Sequence, residues 1–337
     1  MNRTAFVIGA PGALAVQVAA RLGAKGFGLE VLLASDQSGG LPRLQDDLGK
    51  EARIHLGRGD AVDFGLSGSE YLDAASRITD IVYLEPPPPP GLPGGVAGAA
   101  AREIVEFGLA ASNLHRIVVL SHVDVCGEID GTFGEHDLLV SGAGLGPAQE
   151  DRKKAERIYH RFFRELPLTI LRSGWIVGAH PGLCPLAHLL LCLESPEDLG
   201  PVFSDIELNL VSLEDLSRIA AGLVESSSLL SGRTLHVVGE GLTVLRELHA
   251  EAVRRAADVI PAGFDRSAGA RRAMKRDPHK RRWLVQEFFR HQPQRARITT
   301  AYTHAMLSQL GIAPPVFTDT WLEKVVSDAS EEILGFR

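Results

Sequence analysis

The chain has 337 residues, 45% hydrophobic and 23% charged, with a net charge of −7; apolar burial can offset chain entropy along most of it, which excludes intrinsic disorder and allows one large α/β unit or two domains. Cys126, Cys184 and Cys192 are odd in number and lack CxxC spacing, so a disulfide framework and a structural zinc site are excluded and a reducing compartment is expected. The apolar run "LCPLAHLLLCLE" is too short to span a bilayer, and no long apolar segment precedes the first strand, so the expectation is a cytoplasmic protein with no membrane contact.

In chain order, "TAFVIGA" reads as a buried strand, "ALAVQVAARLGAKG" as a helix closed by glycine, and "LEVLLAS" as a second strand. "ARIHLGRGD", "ITDIVYLE", "LHRIVVLSHVDVCG" and "LPLTILRSGWIVG" supply a third to a sixth, with a helix from about Gln149 to Arg164 before the last. Short apolar runs alternating with helical patterns predict βαβ units. Right-handed crossovers then stack them into a Rossmann-like, doubly wound, mainly parallel sheet of the α/β class. The five consecutive prolines of "EPPPPPGLPGG" predict an extended surface loop after the fourth strand, and "SGAGLG" a glycine-rich loop before the helix at 149. Both belong at the carboxyl ends of the strands, where such sheets bind ligands.

Past Gly178 the pattern changes. "LNLVSLEDLSRIAAGLVE" predicts a strand and helix, "RTLHVVGEGLT" a strand and turn, "VLRELHAEAVRRAA" an amphipathic helix, and the tail from about Asp265 further basic helix. The expected organisation is a dinucleotide-binding-type domain over 1–180 and a smaller, mostly helical lobe over 181–337 that contributes some strands to the main sheet.

"VIGAPGALA" places Gly9, Gly12 and Ala15 at G-x-x-G-x-x-A spacing between a strand and a helix. Glycines permit the tight turn and close phosphate approach, and Ala15 close helix–strand packing. Pro11 removes one N–H donor from that loop, so the signal for the fold exceeds the signal for binding. After the second strand, Asp36 favours a free ribose and hence NAD over NADP, with Arg43 able to reach in from the next segment; a solvated turn residue is the equal alternative.

These segments, with "GRGDAVDFGLSGSEY", "VVLSHVDVCGEIDGTFGEHDL" and "KKAERIYHRFFRELPLTILRSGWIVG", resemble the extended short-chain dehydrogenase/reductases, nearest to the NAD(P)-binding domains of thioester reductases and fatty-acyl-CoA reductases. The likeness covers residues 5 to about 245. It implies a sheet that holds NAD or NADP, with Asp60 at the adenine, and a small-molecule substrate, acyl- or carrier-bound in that branch. It also implies a possible homodimer.

The catalytic group departs from the resemblance. The family uses a serine or threonine, a tyrosine, and a lysine four residues later that lowers the tyrosine pKa from the same helical face. Aligned on "AER" at Ala155–Arg157, Ala148 falls at the tyrosine and Arg152 at the lysine; sliding the register pairs Gln149 with Lys153 or Glu150 with Lys154 and supplies no tyrosine. Tyr159 lies too far along and reads as packing. Anchored on Gly127, the catalytic hydroxyl falls at His122, Ser173 replaces a proline, and the fourth-strand H-x-A histidine falls near Leu84.

His122 can exchange protons near neutral pH and is the candidate acid or base, with Arg152 or Lys153 for the ribose; the alternative is a hydrogen-bonded histidine at a strand end. "GEHD" (Glu135, His136, Asp137) resembles a metal cluster, but adjacent residues rarely converge on one ion, so a solvated loop and no metal are expected. From Asp265 to Arg297 eleven Lys/Arg face three acids, a local charge of +8. That block suits phosphates or an acidic partner, or more simply a helix burying Trp283, Phe288 and Phe289; the acidic whole argues against nucleic acid.

The functional expectation is therefore a divergent reductase-like protein binding a nucleotide or an acyl or carbonyl small molecule, without the standard hydride-transfer group, in biosynthesis with unconventional or non-redox chemistry. The alternatives are an NAD(P)-dependent carbonyl or thioester reductase using His122 or water as acid, and a non-enzymatic cofactor sensor or partner-binding protein.

Overall fold

In the computed structural model the described residues are 3–10, 13–34, 48–49, 52–57, 64–84, 96–127, 129, 131–137, 145–178, 208–226, 230–240, 246–251, 254, 296–318 and 321. Near-continuous apolar runs form the central strands: β1 (Thr4–Ala10), β2 (Gly28–Ala34), β3 (Arg53–Gly57), β4 (Asp80–Tyr83), β5 (Arg116–His122), β7 (Leu168–Ser173) and β10 (Arg233–Val237). Every residue of β4, β5 and β7 is buried, as expected for parallel strands covered on both faces.

The seven strands are parallel, in the order β10-β7-β5-β4-β1-β2-β3. The chain winds outward from β1 through β2 to β3, returns to β4, and then winds the other way, so the topological switch point falls between β1 and β4. This is the doubly wound Rossmann-type sheet that the sequence predicts.

Alternate residues of β1 feed two cores. Ala5 and Val7 pack with α1 (Ala13–Ala24), while Phe6 and Ile8 pack with α2 (Gly68–Arg77), α3 (Val96–Ala110) and α4 (Pro147–Arg161). On the second face the rings of Phe6, Phe64 and Phe107 meet at 5.3 to 5.4 Å. The first face also takes α5 (Leu213–Glu225), which lies against α1.

Capping explains where the helices begin. Ser67 accepts from Glu70 N–H (3.4 Å) while Glu70 Oε2 accepts from Ser67 N–H (2.8 Å), a capping box on α2. Ser212 accepts from Asp215 N–H at 2.9 Å to start α5. In α4, Pro147 stands in the first turn, where its missing N–H costs nothing, and Gln149 Oε1 accepts from Gly146 N–H at 2.6 Å. Asp151 of α4 reaches across to accept from Ala97 N–H (2.8 Å) and Gly98 N–H (3.4 Å), placing a carboxylate on the N-terminus of α3.

Two expectations are corrected. "LPLTILRSGWIVG" is not one strand: at Gly174 the chain leaves the main sheet, and β8 (Trp175–Val177) pairs in parallel with β9 (Leu210–Ser212). The reason is a close backbone crossing, because a Cβ on Gly174 would stand 2.3 Å from the Asn209 carbonyl oxygen. The basic tail is not purely helical either. β11 (Ala296–Ile298) pairs with β6 (Gly131–Phe133), and α6 (Ala301–Gln309) follows. The rest of the basic block lies outside the described residues, as does the proline run. The strand read in "RTLHVVGEGLT" is β10, which joins the main sheet at its edge, and α6 covers that edge: His236 N–H donates to Thr303 Oγ1 at 2.8 Å.

Candidate functional site

Of the expected site residues, Gly9 and His122 lie at the carboxyl ends of β1 and β5, Ala15 in α1, and Arg152 and Lys153 in α4. At the end of β1, Gly9 has φ 116°, a conformation that only glycine adopts without strain. Ala15, 1% exposed in the core under α1, leaves room for the helix to lie close to the strand. The first turn of α1 carries no acid, so nothing there repels a phosphate. Gly12, Asp36 and Asp60 lie outside the described residues.

At the end of β5 the chain alternates, so Ser121 and His122 serve opposite sides of the strand. His122, paired in register with Ser173, is buried and meets the Trp175 ring edge-on at 5.5 Å. A single 3-10 turn, Val123–Cys126, then brings Asp124 back onto it. Asp124 N–H donates to His122 Nδ1 at 3.2 Å, and Asp124 Oδ1 lies 3.1 Å from the same nitrogen without the alignment of a hydrogen bond. His122 Nε2 carries no hydrogen bond to a described residue.

The other oxygen of Asp124 accepts from Arg152 Nη2, joining α4 to the strand end. Burial alone would raise the Asp124 pKa, but the Arg152 guanidinium and the neighbouring His122 outweigh it and hold the carboxyl well below its ordinary range. Lys153 is buried and its pKa is lowered, first by burial and then by Arg157. Cys126, in the same turn as Asp124, is pushed up to about 12 by burial and by the Asp124 charge; as an un-ionised thiol it is a poor nucleophile.

His122 and Arg152 are thus brought together through Asp124. Ala148 is half-buried at the helix start. Tyr159 is 3% exposed inside the core between the sheet and α4. Tyr71, on α2, packs edge-on against Phe107 at 4.9 Å, and Tyr159 is the tyrosine of α4, so neither faces the strand-end cluster.

Behind this cluster lies a second one that residue patterns alone did not reveal. Ser121 Oγ donates to Glu156 Oε1 at 2.5 Å, and Arg172 binds both Glu156 oxygens, with Nη2 to Oε2 at 2.7 Å. Arg172 Nη1 reaches His236 Nε2 at 3.2 Å, and His236 Nδ1 lies 2.9 Å from the Thr299 carbonyl. A carbonyl can only accept, so Nδ1 carries the proton and Nε2 accepts from the guanidinium. Burial and the Arg172 charge press the His236 pKa from 6.5 to about 3. Phe133 stacks on His236 at 5.3 Å and lies under Arg172 at 4.9 Å.

Glu135 of "GEHD" belongs to this second cluster and is not solvated, which corrects that part of the loop reading. It is 5% exposed and accepts from Thr303 N–H and Oγ1, both at 3.0 Å, standing in for the side-chain cap that Thr300 does not give α6. Asp137 Oδ2 accepts from Gly134 N–H at 2.7 Å, and His136 is exposed against Tyr302. Among the described residues no group of three or more His, Cys, Asp or Glu could hold a metal ion, and no helix is long and apolar enough to cross a membrane. A groove of about 550 Å³ lined by Val177, Ser212, Asp215, Arg218, Pro314 and Trp321 contains none of His122, Asp124 or Arg152.

The seven parallel strands and the switch point between β1 and β4 define a doubly wound α/β protein of the Rossmann type. No family model and no curated protein matches the sequence. Among solved structures, the terminal R domain from the myxalamid PKS-NRPS biosynthetic pathway is similar with a TM-score of 0.74 and 19% identity, over 100% of this chain and 92% of that one. A yeast methylglyoxal/isovaleraldehyde reductase complexed with NADPH is similar at 0.68 and 15% identity, over 99% and 98% of the two chains. UDP-glucuronic acid 4-epimerase from Bacillus cereus in complex with NAD is similar at 0.65 and 15% identity, over 98% of each. Identities this low show a shared fold.

Proposed function

We propose that the chain binds a dinucleotide, NAD or NADP with NAD favoured by Asp36, together with an acyl or carbonyl small molecule at the carboxyl ends of β1, β5 and β7, and that it does not use a Ser/Tyr/Lys hydride-transfer group. The observation that carries this reading is the ion pair of Arg152 with Asp124. The residue at the lysine register is held by a buried carboxylate, and the register four residues earlier is Ala148, which has no proton to give.

Gly9, Ala15 and the acid-free start of α1 fit a bound pyrophosphate. The similar reductase and epimerase structures that hold NADPH and NAD support the same class of ligand. A bound nicotinamide would supply or take up hydride. The residues of this chain at the strand ends would bind and orient the partner molecule, and Trp175 and the buried strand ends would limit water.

A second reading keeps a reductase with His122 as its acid. The Asp124 backbone N–H donates to His122 Nδ1 and fixes the ring, so the neutral imidazole carries its proton on Nε2, which has no hydrogen-bond partner among the described residues and is the nitrogen that would exchange a proton. Division into a 1–180 domain and a 181–337 lobe, a homodimer, and a cytoplasmic setting belong to the same proposal.

Calorimetric titration of the chain with NADH and NADPH tests it. Binding of either nucleotide without carbonyl- or thioester-dependent oxidation supports the first reading. Turnover abolished by His122→Ala supports the second and overturns the first, and binding of neither nucleotide overturns both.

A further inference from the structure

Resting on the reading of the β5 end as a ligand site, we propose that Arg152 is the recognition element for an anionic oxygen group of the ligand, a carboxylate or a phosphate. A guanidinium is always charged and offers five N–H donors from three nitrogens. Arg152 uses Nη2 on Asp124, while its Nε and Nη1 are buried and have no hydrogen-bond partner among the described residues. Buried donors of a charged group are costly to leave unmatched, and such groups in folded proteins are matched by water, an ion or a ligand.

The contrast with Arg172 shows that the fold can satisfy an arginine fully where it needs to. Arg172 has a side chain 0% exposed and all three nitrogens bonded, whereas the Arg152 side chain keeps 12% of its surface exposed beside two unmatched nitrogens. Asp124 fixes the guanidinium and also faces His122, so an anion bound at Arg152 sits in the same cluster as the imidazole. A neutral carbonyl at the same donors would lack the opposite charge that an anion brings to the guanidinium.

The test uses the full chain without nucleotide, titrated calorimetrically with sodium benzoate and separately with sodium phosphate, with chloride holding ionic strength constant. The expected result is saturable binding of at least one anion, weakened about tenfold or more in Arg152→Gln and less in Arg152→Lys; the preferred anion tells carboxylate from phosphate. If Arg152→Gln does not fold, the Nε–H resonances of ¹⁵N-labelled wild-type arginines give the answer, one of them shifting as the anion saturates. No saturable binding, equal affinity in wild type and Arg152→Gln, or unmoved Nε–H resonances would overturn the proposal. A chain that binds NADH but neither anion loses this inference alone; one that binds neither nucleotide nor anion loses the functional reading as well.

Discussion

β5 and β7 each end in two adjacent polar residues, Ser121 with His122 and Arg172 with Ser173, and the clusters they serve differ in one respect. In the inner cluster, Ser121 Oγ, both Glu156 oxygens, all three Arg172 nitrogens and both His236 ring nitrogens carry a hydrogen bond. In the cluster at the strand ends, Arg152 leaves two nitrogens, and Asp124 one oxygen, without a hydrogen bond among the described residues. Both are buried and both contain an arginine–carboxylate pair, so burial and charge do not separate architecture from site. Completeness of hydrogen bonding does: a closed network fixes one geometry, and an open one leaves donors for something else.

The sharpest way to break the comparison is Glu156→Ala. It leaves Arg172 as an uncompensated buried charge and Ser121 without an acceptor, so a loss of about 3–5 kcal/mol is expected in urea unfolding; a loss below about 1 kcal/mol would show that the inner network is not structural.

Acid should act next. His236 has a folded pKa near 3 and an unfolded value of 6.5, so between these values the unfolded chain binds the extra proton and stability falls as pH drops. The slope approaches about 1.4 kcal/mol per pH unit. Asp124 has a depressed pKa, contributes stability above its unfolded value of 3.8, and loses it only as pH falls below that. Unfolding midpoints from pH 7 to 5 therefore report His236 together with His160, whose pKa burial also lowers, and His236→Gln should make that window shallower than in wild type.

Glu135→Ala removes the acceptor for Thr303 N–H at the start of α6, with an expected cost of about 1–2 kcal/mol. The smallest effect is expected from neutralising the open pair. Asp124→Asn with Arg152→Gln removes both charges together, and a cost of about 1 kcal/mol or less in the same unfolding measurement is expected, because a buried pair with unmatched donors adds little net stability. A cost as large as that of Glu156→Ala would erase the distinction between the clusters.

Much of the architecture was legible before the structure. Buried strands such as "RIVVLSH" are apolar almost throughout because both faces are covered, and Gly9 marks the first turn because its φ allows little else. The break at Gly174 was not legible: it arises from the Asn209 carbonyl, 35 residues on, passing where a Cβ would be. In the site, Ala148 at a tyrosine position and His122 at a hydroxyl position were what the family resemblance implied. Glu156, Arg172, His236 and Glu135 could not be read from the sequence, since their partners lie 16, 64 and 168 residues apart in the chain.

The sequence by itself determined the alternation of strands and helices, the glycine turn, and the absence of a phenol at the start of α4, because each depends on residues within a turn or a strand of one another. Tertiary structure alone decided which polar residues became closed architecture and which stayed open. Arg152 and Arg172 are the same side chain, and only the groups brought around each by folding leave one saturated and the other with donors to offer.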